Sequence, residues 1–140
     1  MLLTVVTMLL QVAPELEDGR AAFSKLEYQK AVTALTKVGA SSAPAVEKAE
    51  AYGLLARSYL ALGKGAEAQA AFEGQLSQDP MAEEPVGAPK VKQAFLAAKK
   101  AKFPPSHLQL VRRPSTADSL VVEVVNPWRL QVTVDSWEWS

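Results

Sequence analysis

The sequence predicts an α+β fold: a short α-helical hairpin array of two repeats plus a capping helix, followed by a small antiparallel β-meander. Three observations carry that reading. Apolar residues recur at helical spacing from residue 14 to about residue 103. Gly and Pro punctuate that stretch at Gly39, Pro44, Gly63, Gly65 and Pro80, where hairpins would turn or stop. Beyond Phe103-Pro104-Pro105 the apolar residues alternate singly, the period that buries one face of a strand. The chain thus divides into an apolar N-terminal segment (1–13), a helical domain (14–103) and a β-meander (104–140).

Composition narrows the chemistry. Of the 140 residues 49% are hydrophobic but only 7% aromatic, and much of the excess is alanine, which favours closely packed helices over a large aromatic core. The absence of cysteine removes disulfides, thiolate nucleophiles and Cys-ligated metals. A net charge of zero conceals segregation: residues 1–84 carry 7 basic and 11 acidic groups, 85–113 carry 7 basic and none acidic, and 114–140 carry 1 basic and 4 acidic. Such a basic belt, with Lys90, Lys92, Lys99 and Lys100 as its core, can steer an acidic partner or dock on the chain's own acidic segments.

The run from Leu2 to Val12 is apolar but shorter than the roughly 20 residues that cross a bilayer as a helix. It reads either as an export signal, although no Lys or Arg precedes Arg20, or as a first helix packed on the repeats. Residues 14–38 read as two helices. Pro14, Glu15, Glu17 and Asp18 suit an N-terminus, Lys25-Leu26-Glu27-Tyr28 makes the turn, and Ala31, Val32, Leu35 and Val38 form the second apolar face. The next hairpin occupies about 45–79, with Gly63-Lys64-Gly65 as its link and Pro80 as its stop.

Counted from Ala49, the residues Tyr52, Leu55, Ala56, Tyr59, Ala68, Phe72 and Pro80 fall at places 4, 7, 8, 11, 20, 24 and 32. This spacing resembles the tetratricopeptide repeat, a 34-residue helix–turn–helix unit with an aromatic, Leu-Gly/Ala, Tyr, Ala-x3-Phe, Pro pattern. The residues 14–38 are similar to a degenerate first unit, with Ala31 equivalent to Ala68 and Leu35 to Phe72, a period of 37. The resemblance implies stacked hairpins whose inner wall is open to a partner. Place 9 of each unit faces that groove in the family and holds Arg20 and Arg57, with Ser24, Glu50, Gly53 and Leu60 as neighbours. Two stacked arginines suit a carboxylate-bearing peptide, and the competing expectation is that they pair with Glu17 or Glu50 on their own helices.

A Pro/Gly/acidic connector spans Asp79 to Pro89, after which Lys90–Lys102 reads as a helix with Val91, Ala94, Phe95 and Ala98 on one side, capping the array. Pro89-Lys90-Val91, Phe95 and Ala98 also resemble a linker helix of repeat-containing bacterial cell-envelope proteins, which implies a β-rich module next and inclines the location toward the periplasm, with the cytoplasm left open. Strands are predicted over His107–Arg112, Leu120–Val125 and Leu130–Val134, with Asn126-Pro127-Trp128-Arg129 as a turn.

No phosphate loop, dinucleotide fingerprint or catalytic motif appears, and His107 is the sole histidine, so neither a metal site nor a cofactor nor enzyme activity is expected. Nucleic acid is disfavoured because the lysines lack interleaved exposed aromatics. Trp128, Trp137 and Trp139 are candidates for an interface or for covering the helix-to-sheet seam. The expected function is a non-enzymatic scaffold or assembly factor that holds a protein or peptide in its groove. The alternative is a structural subunit that assembles through β edge strands, and membrane contact is expected at most at the surface.

Overall fold

The computed structural model describes residues 12–113, 116 and 118–133. Among the described residues, five helices precede a two-stranded hairpin: α1 (Pro14–Ser24), α2 (Tyr28–Ala40), α3 (Ala45–Ala61), α4 (Gly65–Gln78), α5 (Pro89–Lys102), β1 (Gln109–Arg113) and β2 (Val121–Val125). The fold is α+β, a helical array with a small antiparallel β segment. Most of the apolar N-terminal segment, together with Val134, Trp137 and Trp139, lies outside the described residues.

Each helix packs against the next in sequence, and the first helices of successive hairpins also meet, α1 on α3 and α3 on α5. Pro14 and Pro89 open α1 and α5 at the first helical positions, where the missing N–H has no intrahelical acceptor to lose. One core runs through all five helices and is built from Leu16, Leu35, Val38, Leu55, Phe72, Leu76 and Phe95 with a lining of small residues. Ala56 and Ala68 are fully buried, as the repeat spacing requires. Phe72 and Phe95 meet edge to face at 5.4 Å, which is how α5 closes the end of the array.

The period of 37 is written into the backbone. At the first turn the N–H groups of Lys25, Leu26 and Glu27 donate to the carbonyls of Ala21 (3.2 Å), Phe23 (3.0 Å) and Ala22 (2.9 Å). At the second turn Leu62, Gly63 and Lys64 donate to Ser58 (3.1 Å), Leu60 (3.1 Å) and Tyr59 (2.8 Å), the same bonds displaced by one period. Both turns need a left-handed residue, Leu26 at φ 62° and Gly63 at φ 76°. Glycine occupies this region without penalty, whereas a side chain costs roughly 1–2 kcal/mol there.

Three further glycines mark close approaches. A Cβ on Gly19 would stand 2.6 Å from Leu35 Cγ, so α1 meets α2 only because that position is bare. Cβ atoms on Gly39 and Gly74 would both strike the ring of Tyr52, at 3.0 and 2.9 Å, so one tyrosine on α3 fits between glycines of α2 and α4.

The β segment departs from the expected three-strand meander. β1 and β2 pair antiparallel, with Leu110 opposite Val124 and Val111 opposite Glu123, and the described part of the predicted third strand, 130–133, is not a strand. Instead Asn126 closes the chain reversal with its side chain: the Leu130 N–H donates to Asn126 Oδ1 and Asn126 Nδ2 donates to the Leu130 carbonyl, each at 2.8 Å. Arg129 takes a left-handed φ of 52° there, which turns the backbone away from continued pairing.

Two outcomes follow from this packing. Gly19→Ala should destabilise the chain by about 1–3 kcal/mol, the usual result of forcing a methyl into a filled core, measurable by urea denaturation. Leu26→Gly should raise stability by up to about 1 kcal/mol and Gly63→Ala should lower it by a similar amount, because the same turn is strained in one hairpin and relaxed in the other.

Candidate functional site

Arg20 on α1 and Arg57 on α3 stand one period apart on touching helices, whose shared surface is the wall that the repeat resemblance implies. Their roles differ. Arg20 grips Glu50 across the helices in a fork, Nε to Oε1 and Nη2 to Oε2, both at 2.6 Å, and also pairs with Glu17 one turn back on α1. The hydrogen bonds to Glu50 and the charges of Glu50 and Glu17 raise its proton affinity above the ordinary guanidinium value, with desolvation opposing them. Arg20 is therefore a neutralised clasp. The expected pairing with Glu17 occurs, but Glu50 is a partner from the next hairpin rather than from its own helix.

Arg57 pairs with neither Glu17 nor Glu50. Its guanidinium lies 5.1 Å from the centroid of the Phe23 ring, reaching back from α3 to α1. Among the described residues it makes no ion pair. The two arginines, with the Ala13 N–H that donates to Glu47 at 3.2 Å, thus stitch α1 to α3 in both directions.

The other groove residues separate. Glu50, Gly53 and Arg57 line a recess of about 210 Å³ together with Leu54, Phe72, Gln75, Glu83 and Pro85. Ser24 sits at the exposed end of α1 and donates to the Ala21 carbonyl, outside that recess. Leu60 is not a wall residue: it is 9% exposed and belongs to the core. The cause is that α3 packs against α1, α2, α4 and α5 at once, so little of its circumference stays open. Even Ser58 is fully buried, with its hydroxyl satisfied by the Leu54 carbonyl at 2.9 Å.

The wall is not an uninterrupted open trough. Glu83 and Pro85 of the connector border the smaller recess. A larger recess of about 540 Å³ lies between α3, α4 and the hairpin, walled by Val46, Ala49 and Glu50 on one side and by Arg113, Glu123 and Val125 on the other. The connector is drawn in because Ala82 is buried and Glu83 pairs with Arg129 at 3.1 Å. Sequence periodicity had no means of finding this, since the pairing spans 46 residues.

The basic helix points Lys90, Lys92 and Lys100 into solvent, while Lys99 is partly buried over the Trp128 ring at 4.8 Å. Burial first, and then the charge of Arg129, lowers the proton affinity of Lys99, with Glu84 opposing. Trp128 donates from Nε1 to the Phe103 carbonyl at 3.1 Å and so covers the seam between α5 and the hairpin. Among the described residues no three His, Cys, Asp or Glu side chains gather in a metal-binding group, and no helix is long and apolar enough to cross a membrane. No protein-family model matches the chain, and no curated protein or solved structure matches it either.

Proposed function

We propose that the protein is a non-enzymatic interaction scaffold of the tetratricopeptide-repeat kind that holds an extended peptide against the α1–α3 wall. The observation that carries this reading is Arg57, a cation fixed over Phe23 at the mouth of the 210 Å³ recess and left without a carboxylate among the described residues. A peptide carboxylate would complete it, and Gln75 on the opposite side of the recess offers an amide to a peptide backbone. The recess is too small to enclose a whole ligand, which favours one anchoring side chain with the rest of the peptide lying along the wall.

A second reading, assembly through the β hairpin, is favoured by its outward face. Leu110 and Val124 stand opposite each other and are 60% and 46% exposed, while Glu123 and Val125 face the recess. Stacking or edge pairing of this face would bury apolar surface that is otherwise in water.

The two readings are separated by two measurements. Retention of a cellular partner by the immobilised full chain should fall about tenfold or more with Arg57→Glu, the loss of one charge-assisted hydrogen bond, and stay unchanged with Lys37→Glu on the outer face. Equal retention by both variants ends the groove reading. If the hairpin assembles, sedimentation should show self-association that Leu110→Lys abolishes, and a chain that stays monomeric at its highest soluble concentration removes that reading for copies of itself.

A further inference from the structure

Three cations from distant parts of the chain converge at the junction of α5 and the hairpin. Lys92 and Lys99 lie two turns apart on one flank of α5, and Arg129 comes from the loop after β2. Arg129 is held in its left-handed conformation by its own N–H bond to the Asn126 carbonyl (3.0 Å) and by the two Asn126 side-chain bonds to Leu130. Burial first, and then the charge of Arg129, depress the proton affinity of Lys99, so like charges stand close enough to oppose one another. Backbone strain combined with like-charge crowding is unfavourable by itself, and sites that retain both commonly serve a ligand.

The present counter-ions disclose what the cations accept. Glu83 approaches Arg129 at 3.1 Å and Glu84 approaches Lys92 at 3.7 Å. These carboxylates are consecutive, belong to an irregular connector followed by Pro85, and remain well exposed. Exposed pairs of this kind contribute roughly 0–1 kcal/mol each, little enough to be exchanged for an external ligand.

The geometry points to a cradle of Lys92, Lys99 and Arg129 that binds two consecutive carboxylates of an extended acidic peptide from a partner protein, with Glu83-Glu84 as the chain's own occupant. A peptide fits better than a nucleic acid because the resident occupant is a carboxylate pair and because Lys99 already covers a face of Trp128, the one indole nearby among the described residues, leaving it unsuited to stacking a base. The cradle is distinct from Arg57, so the two sites fail separately. Glu83 also borders the Arg57 recess, and its displacement would widen that recess.

The test is fluorescence anisotropy of the full chain with a labelled peptide copying the connector, Ala-Glu-Glu-Pro-Val-Gly, against Ala-Gln-Gln-Pro-Val-Gly. The E83Q/E84Q variant should bind the acidic peptide about three- to tenfold more tightly than the wild type, since two weak internal competitors are gone. Adding K92Q and R129Q should abolish that binding, and R57E should leave it intact. Equal affinity in wild type and E83Q/E84Q, equal binding of the glutamine peptide, retention after K92Q/R129Q, or displacement of the peptide by a single-stranded oligonucleotide at lower concentration than by the peptide itself would each overturn the proposal.

Discussion

The arrangement depends on one helix, α3, being packed from four directions. It touches α1, α2, α4 and α5, and it can do so because Ala51, Ala56 and Ser58 present almost nothing beyond the backbone. Close approach of helices maximises dispersion contacts but tolerates no additional volume, so the small residues are as constrained as the large ones. Around this centre the large side chains, Leu35, Phe72 and Phe95, fill the gaps between hairpins, and α5 supplies the last layer. The β hairpin is attached more lightly, through Trp128, the Glu83–Arg129 pair and the buried Val125.

The same centrality explains why equivalent arginines do different work. Arg20 on the outer hairpin finds Glu50 on α3, one unit further along. The corresponding acid for Arg57 would have to come from α5, whose sequence is entirely neutral or basic, and Arg57 instead lies over Phe23 of α1. Each unit of a repeat array contacts only its neighbours, so a position satisfied from the next unit can be left over in the last. Charge segregation along the chain, acidic before residue 85 and basic from 85 to 113, therefore matters locally: it leaves Arg57 without an acid from α5.

Most of the helical architecture was legible in the residues. Ala31, Val32, Leu35 and Val38 announce α2, Gly63-Lys64-Gly65 the second turn and Pro89 the start of α5, because each acts through local physics that does not depend on the rest of the fold. Leu26 was harder to read, since its left-handed backbone is imposed by the turn that encloses it rather than favoured by leucine. Leu60 was misplaced because burial on α3 depends on how many neighbours surround the helix, a property of the assembly. The alternation of Leu130 and Val132 suggested pairing, but the side chain of Asn126 captures the backbone groups of Leu130 that would have begun it. The Glu83–Arg129 ion pair that holds the connector joins residues too far apart for any pattern to reveal.

Tyr52 has a consequence of its own. Its ring is gripped between Gly39 and Gly74, so α2 and α4 are registered by a key in two notches and not by interchangeable grease. Sliding either helix by one residue would bring a side chain where a bare Cα is needed, so the register of α2 and α4 against α3 is fixed at that point. Were a peptide to bind as proposed, it would meet helices already held in register, and little association energy would go to reshaping them.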